Sequence, residues 1–373
     1  MKKNAGIKKY TAWAEVNLKV LADNYKLIKK AAGGKRVIPV VKANAYGHGI
    51  TVVSAFFEEQ LGVDYIAVAR VSEAVSLREA GINKTGIIVL GGFVPGEEEE
   101  ILKYRLEPSV SSVNAIKLLS KAAVKAGKNA NVHIKINTGM NRLGARVSDA
   151  PALITEIKNS PRMVLKSVYT HFANADMAGD KFTQVQIQAL LKIKPLVSGR
   201  VFFHSANSAG IAKYPQAHMD AVRPGIMLYG SYTDPEMKAK IKVKPVMTIK
   251  ARVLHTATLK KGEAVSYGGL YKAKKNERIA IVGIGYGDGY RRDFTGKGYV
   301  IIKGKKCPVL GRVCMDLITV RATGNVKTGD EAIIFGGDET GFISVEELAD
   351  MIGTISYELF TGIAERIPRI YKY

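Results

Sequence analysis

Between residue 37 and about residue 240, short β-branched runs alternate with helical patterns, and beyond that point the alternation stops. Val37–Val41, Tyr65–Ala69, Ile87–Leu90, Val132–Ile136, Leu165–Tyr169 and Val201–Phe203 read as strands; Glu107–Val110 and Ala221–Val222 are shorter candidates. Helical patterns such as Ser72–Ala80, Val113–Ala126 and Asp180–Leu191 lie between them. Strands separated by helices at this spacing mean parallel βα units. Eight of them within about 200 residues fit an α/β fold, a TIM-like (β/α)8 barrel. Thereafter strands separated by Gly-rich turns take over: Met247–Leu254, Arg278–Ile284, Tyr299–Ile302, Val309–Val313, Leu317–Arg321 and Glu331–Phe335. That rhythm predicts a C-terminal all-β domain. The barrel is assigned residues 12–240 and the β-domain residues 241–373 with residues 1–11. Thr11–Val16 alternates, and is a candidate extra strand of the second domain.

Smaller signals punctuate this pattern. Ser344-Val345-Glu346-Glu347 has the form of a capping box at a helix start. Glu97–Glu100 reads as a solvated acidic run in a first helical turn, where the dipole favours it. Lys238, Lys240, Lys242 and Lys244 alternate with Ala239, Ile241 and Val243, as on the solvent face of a strand or edge segment.

A length of 373 residues exceeds one small core, and 47% hydrophobic with 24% charged residues excludes a disordered chain. Cys307 and Cys314 are too few for a disulfide framework and read as buried thiols of a reducing compartment. The basic start Met1–Lys9 has no apolar run after it, and no segment approaches a membrane span, so the cytoplasm is the expected location. The net charge of +23 raises nucleic-acid binding as a competing reading. The lysines are scattered rather than gathered in one arginine-rich, aromatic-laced stripe, which favours a basic soluble surface and no nucleic-acid partner.

Barrels of this class carry catalytic groups at the C-terminal ends of their strands. Here those ends hold Lys42, Arg142, His171, His204, Asn207, Ser208 and Arg223. Lys42 directly follows a β-branched run, with Tyr46 four residues on in a Gly-rich turn. A rigidly held, partly desolvated lysine can form a Schiff base, although a lone lysine there is also an ordinary surface residue. Asn137–Gly144 sets the Arg142 guanidinium beside a Gly-rich turn, suited to a carboxylate or to a structural salt bridge. Asn207–Gly210 and Arg223–Ile226 each end a strand with small residues that let N–H groups and a hydroxyl approach a phosphate. Tyr267 lies in a β-domain turn and is a base only if its pKa is lowered.

Taken together, these segments resemble the alanine racemases, a family of fold-type III pyridoxal-phosphate enzymes. The resemblance rests on Val41–Gly49, Thr138–Gly144, Tyr169–Ala173, His204–Ser208, Val222–Gly230, Val265–Gly268, Gly285–Tyr290, Gly311–Asp316 and Ile355–Glu358, in that order and almost end to end. It implies that Lys42 carries pyridoxal 5'-phosphate. Lys42 and Tyr267 would be the two acid/base groups on opposite faces of the cofactor, the lysine serving D-alanine and the tyrosine L-alanine. The tyrosine would come from the β-domain of the partner in a head-to-tail homodimer with shared sites.

The same resemblance assigns further roles. His171 and Arg223 match a cation network beside the tyrosine, and Arg223 also matches the residue facing the pyridine nitrogen. Tyr46, Ser208, the backbone of Gly225 and Ile226, and Tyr357 would hold the phosphate, with Asn207 beside it. Arg142 matches the group near the cofactor's phenolic oxygen and the substrate carboxylate, and Lys135 a lysine that is carbamylated in some members. Met315 would line the substrate methyl pocket. Asp176, Tyr286, Arg292, Arg312 and Ile355 match the gate of the access channel. The implied function is interconversion of L- and D-alanine, supplying D-alanine for peptidoglycan. One departure is Asn137, where many members carry Asp. A broad-spectrum racemase of the same fold is the alternative. The Tyr267 motif counts against a decarboxylase, and the β-domain counts against a non-enzymatic pyridoxal-phosphate-binding barrel.

Overall fold

The β-branched runs become strands in the computed structural model, which describes residues 9–373. After β1 (Ala12–Asn17) come β2 (Arg36–Val37), β3 (Tyr65–Val68), β4 (Gly86–Val89), β5 (Glu107–Val110) and β6 (Ala130–Asn137). The short β7 (Ala145–Arg146) pairs only with β6, and β8 (Met163–Tyr169), β9 (Phe202–His204) and β10 (Ala221–Val222) follow. Parallel pairing runs β2-β10-β9-β8-β6-β5-β4-β3, and a bridge between Val40 and Ala67 of β3 closes the ring. β2 is short because Pro39 has no N–H for the ladder; its carbonyl accepts from the Ala67 N–H at 2.9 Å.

These strands read as near-continuous apolar runs because both faces are covered. Helix Val113–Ala126 shows how the cover forms. Ser112 caps it by accepting from the Ala115 N–H, Gly127 ends it at φ 66°, and Ile116, Leu119, Ser120 and Ala123 turn inward at helical spacing. The unit containing this barrel is Ala22–Leu228 with Tyr232–Val243.

The second unit comprises the described residues up to Leu21, Tyr229–Ser231 and Lys244–Tyr373. Its strands are β1, β11 (Met247–Leu259), β12 (Ala264–Val265), β13 (Tyr271–Lys272), β14 (Glu277–Val282), β15 (Tyr299–Ile302) and β16 (Lys305–Leu310). They continue as β17 (Ile318–Arg321), β18 (Glu331–Asp338), β19 (Gly341–Ile343) and β20 (Arg369–Lys372). The order is β19-β18-β15-β16-β17-β14-β11-β1-β20, and an added β18–β11 pairing closes a ring. Long β11 serves several partners because a register shift between Val253 and His255 bends it. β12 and β13 form a separate ribbon.

Several expectations need correction. The boundary at residue 12 is too early: β1 pairs antiparallel with β11 and parallel with β20, which takes the chain up to Leu21 into the β unit. The lysine alternation is not a strand. Asp234 caps helix Pro235–Lys240, which carries Lys238 and Lys240, and irregular chain with buried Ile241 and Val243 follows. β16 begins before its predicted start at Val309 and ends before Val313. Lys303 and Gly304 at φ 50° and 74° make the tight hairpin turn, and Gly311 at φ 68° ends the strand. Ser344 caps its helix, but the Glu347 carboxylate accepts from Tyr299 rather than completing a box. Glu98 is buried, not solvated, and accepts from the Gly96 N–H. Cys307 is a buried thiol; Cys314 is only half-buried, and both are free. Among the described residues no helix is long and apolar enough to cross a membrane.

Candidate active site

The chain leaves β2 through Val40 and Val41 and then winds the wrong way. Ala43, Asn44, Ala45 and Tyr46 all have φ between 52° and 55°, a left-handed turn that starts at Lys42. Each such residue costs about 1 kcal/mol or more, so the turn persists only where its surroundings hold it. Glu73 supplies much of that hold: its carboxylate accepts from the Ala43 N–H at 2.6 Å and from the Ala69 and Arg70 N–H groups at 2.8 and 3.1 Å. Asn44 Oδ1 accepts from the Ile50 N–H at 2.8 Å, and the Gly47 N–H donates to the Ala43 carbonyl at 3.0 Å. The turn leaves Lys42 half-buried and folds Tyr46 inward, where it is buried.

Around Lys42 the barrel collects cations. Burial and then the Arg142 charge lower its ammonium, with Glu73 opposing. Lys135, on the inward face of β6, is held down to about 8 by burial and by Arg223, Arg142 and Lys42, and its Nζ donates to the Leu90 carbonyl at 3.0 Å. Burial and the charges of Arg223, Arg142, Lys135 and Lys42 hold His171 well below its ordinary value. Arg223, the other residue matched to the expected cation network, is the more strongly basic of the two. Arg223 is buried, lies 4.9 Å over the Tyr169 ring, and donates to the carbonyls of Thr170, Ser205 and His204 at 2.6, 3.2 and 3.1 Å. Burial lowers it to about 10, which leaves it charged. Arg142 is exposed at the rim and has no ion pair among the described residues. Asn137 shapes its loop: Oδ1 accepts from the Gly139 and Asn141 N–H groups, and Nδ2 donates to Asn141 Oδ1 at 2.9 Å. An aspartate could not make that last bond.

The small-residue turns form a cradle. Ser208 Oγ accepts from the N–H groups of Gly225 and Met227 at 3.0 and 3.3 Å, which leaves its proton to donate to an anion. A Cβ on Gly225 would fall 2.3 Å from Tyr46 Oη, so only glycine lets that hydroxyl reach the turn holding Gly225 and Ile226. Asn207 acts one step back: its Oδ1 caps helix Ser208–Lys213 by accepting from the Gly210 N–H. A desolvated amine, two hydroxyls against a glycine turn and a surplus of fixed cations suit a phosphorylated carbonyl ligand. Pyridoxal phosphate fits this donor set.

The remaining candidates lie elsewhere. Asp176 is half-buried in the barrel unit, and its carbonyl faces Lys213 Nζ at 3.5 Å. Tyr267 belongs to the β unit, in the turn between β12 and β13, and is 72% exposed in the single chain. Ser266, at φ 62°, fixes that turn by donating from Oγ to the Arg312 carbonyl at 2.8 Å. Met315, Tyr286 and Ile355 are exposed at 54%, 43% and 59%, and Arg292 is exposed as well. Gly285 lets two loops of this unit meet: the Tyr286 and Gly287 N–H groups donate to the Cys314 and Met315 carbonyls at 3.0 and 2.8 Å, where a Cβ on Gly285 would collide. Tyr357 is half-buried on helix Ser356–Thr361.

Sequence reasoning missed Glu73, although a glutamate three residues into a helix that follows a strand is a known capping position. It also missed the layer below the site, where Glu107, His133 and Ser167 face inward two residues before Ser109, Lys135 and Tyr169 on the same strands. The period of a strand would have found them.

Two family profiles match the chain: "Alanine racemase, N-terminal domain" over residues 16–233 and "Alanine racemase, C-terminal domain" over residues 246–371. An alanine racemase of Desulforamulus reducens is 40% identical over 96% of this chain and 98% of its own length. One from Methanococcus maripaludis is 39% identical over 97% and 98%. Among solved structures, alanine racemase from Clostridium difficile 630 superposes with a TM-score of 0.91 at 34% identity, covering 98% of this chain and 96% of that one. The enzyme from Streptomyces coelicolor gives 0.92 at 32%, covering 98% and 99%.

Proposed function

Because the chain belongs to the alanine racemase family of pyridoxal-phosphate-dependent isomerases, we propose that it interconverts L- and D-alanine by a two-base reaction. The observation that carries the reading is the half-buried Lys42 amine, on a braced left-handed turn, facing a set of fixed cations and a hydroxyl-lined glycine cradle. Pyridoxal phosphate, when bound, draws electron density from the α-carbon and makes its proton removable.

The chain's own residues supply the rest. Tyr46, Ser208, the Gly225–Ile226 backbone and Tyr357 hold the phosphate. Arg223 faces the ring nitrogen as a permanent cation. Arg142, without an ion-pair partner among the described residues, takes the substrate carboxylate in a two-bond grip. Lys42 Nζ, its pKa lowered by burial, moves the proton on one face of the substrate. Tyr267 Oη moves it on the other.

The 72% exposure of Tyr267 supports a partner subunit as the place where it acts, in a head-to-tail homodimer with shared sites. Met315 then lines the methyl pocket, and Asp176, Tyr286, Arg292, Arg312 and Ile355 gate access. Lys135, at about 8, is neutral often enough to take up CO2, and the carbamate would pair with Arg142. The product serves as D-alanine for peptidoglycan, made in the cytoplasm. A Clostridium difficile relative is described in complex with cycloserine, which should bind this enzyme as well.

The test is chiral chromatography of L-Ala, L-Ser, L-Lys and L-Arg incubated separately with the cofactor-loaded protein, with Lys42→Ala as control. Alanine conversion far above the others, absent in the control, is the expected result. Comparable conversion of lysine or arginine would make it a broad-spectrum racemase, and no conversion would refute the reading.

A further inference from the structure

Beneath Arg223 a single file of buried polar groups crosses the barrel interior. Arg223 Nη1 meets His204 Nδ1, and His204 Nε2 lies 2.9 Å from Ser167 Oγ. Ser167 Oγ lies 2.6 Å from His133 Nδ1, and His133 Nε2 lies 3.0 Å from Glu107 Oε2. The other carboxylate oxygen of Glu107 accepts from Asn131 Nδ2 at 3.0 Å. The links come from the residue after β10 and from β9, β8, β6 and β5 in turn. His204, Ser167 and His133 are fully buried, and Glu107 and Arg223 nearly so. Aromatic rings wrap the file: Tyr169 stacks on His204 at 4.7 Å, Phe202 at 5.3 Å, and Tyr65 meets His133 edge-on at 6.3 Å. Nothing in the two-base chemistry uses Glu107, His133 or Ser167.

Donor counting gives the file one direction. A guanidinium only donates, so His204 Nδ1 must accept, and the ring's proton sits on Nε2 and is donated to Ser167. Ser167 Oγ then spends its own proton on His133 Nδ1, since its only polar partners among the described residues are these two rings. His133 Nε2–H is donated to Glu107, a carboxylate that only accepts. A cationic His133 would send a second donor to Ser167 and leave the hydroxyl proton without an acceptor in a dry site, which costs about 1–3 kcal/mol. The hydrogen bonds of His133 and Asn131 hold Glu107 ionised against its burial.

We infer that Glu107 is a positioning residue for the racemisation. Its acceptor oxygen sets both histidine tautomers through Ser167 and so keeps His204 Nδ1 open to Arg223. Among the described residues no carboxylate contacts Arg223; its hydrogen-bond partners are carbonyls and this one ring nitrogen, beside the Tyr169 ring. Were the file reversed, His204 would point an N–H at the guanidinium and push it off its seat. The consequence for catalysis rests on the proposed placing of Arg223 at the cofactor ring nitrogen; the direction of the file does not.

The decisive measurement is the ¹⁵N spectrum of histidine-labelled holoenzyme. With six histidines, the signals are assigned by single replacements. The expected wild-type result is a neutral, Nε2-protonated pattern for both His133 and His204. Either ring found cationic or Nδ1-protonated would overturn the inference without needing any variant to fold. Glu107→Leu, which offers no acceptor, should shift the His204 signals and lower kcat about 10-fold, the usual scale for residues acting through an oriented partner, with the KM for alanine within about twofold. Glu107→Gln, which keeps one acceptor oxygen, should restore both. Leucine without effect, or glutamine as impaired as leucine, would overturn it. Wild-type tautomers as expected in a protein that racemises nothing would sink the functional reading and leave the file standing.

Discussion

The two units present their candidate residues in opposite ways. In the barrel, Tyr46, Lys135, Ser208 and Arg223 are buried, and Lys135, Ser208 and Arg223 each have hydrogen-bond partners within the unit. In the β unit, Tyr267, Tyr286, Met315 and Ile355 stand exposed on a framework that is itself rigid, with Ser266 bonded to Arg312 and the Gly285 loop zipped to Met315. Buried cations beside a hydroxyl-lined glycine turn suit a charged ligand. An exposed tyrosine on a stiff turn is a group presented to something else. The difference teaches that one unit buries groups suited to a charged ligand, while the other presents its candidates to solvent in the single chain.

The sharpest way to break that comparison is to cripple each unit separately. Lys42→Ala and Tyr267→Phe should each lower alanine racemisation about 10²–10⁴-fold, the range for losing an acid/base group. Mixed and reassociated subunits should recover about a quarter of wild-type activity, because half the dimers are mixed and each then has one intact site. No recovery on mixing would mean that both groups act within one chain. A smaller effect sharpens the account of the cradle. Ser208→Ala removes one charge-assisted hydrogen bond, and pyridoxal-phosphate affinity should fall about 10–100-fold. Titration of the cofactor by absorbance would measure it, and unchanged affinity would remove Ser208 from the cradle.

Lys135 gives a smaller, conditional effect. Only the neutral amine attacks CO2, so uptake should rise as pH climbs through about 8, where Lys135 titrates, and not near 10.5 as for an ordinary lysine. Intact-protein mass spectra with and without bicarbonate should show an adduct of one CO2 that Lys135→Ala lacks. An adduct that survives that substitution would place the modification elsewhere.

The sequence made the strands legible and the turns much less so. All eight barrel strands formed where β-branched runs predicted them, even the weak Glu107–Val110 and Ala221–Val222, because parallel strands buried on both faces need apolar runs. Leading strand β1 was visible as an alternation and as a candidate strand of the second domain, but the boundary drawn at residue 12 did not follow it, since pairing with β11 and β20 is a long-range choice that no local pattern encodes. Lys42 and Tyr46 stood out by motif, yet nothing in Ala43-Asn44-Ala45 announces a left-handed turn; Glu73, thirty residues away, helps to hold it. Glu107 and His133 escaped notice because each looks like an isolated polar residue until the barrel brings their strands side by side.

The smallest expected effect separates buried wiring from surface pairing. Lys250 of β11 meets Asp338 of β18 at 2.6 Å and Glu331 at 3.4 Å, with Glu15 of β1 at 3.9 Å. Burial opposes the Asp338 charge, but bonds from Lys250 and Thr340 outweigh it and lower the carboxyl to about 2. Its folded pKa lies below the unfolded value of about 3.9, so its stabilisation is complete above that value and is lost as pH falls through about 2. A third of the Asp338 side chain is open to solvent, which screens the pair. Asp338→Asn should therefore cost only about 1 kcal/mol in urea unfolding of the β unit at neutral pH, and less with each step below pH ~4. The barrel file should behave differently, because its bonds are shielded from water and from salt. Raising the ionic strength should shrink the Asp338→Asn difference while leaving the histidine signals of the file unmoved. If both respond alike to salt, then buried and surface polar groups in this protein are not held by different means, and the contrast between the two units fails at its base.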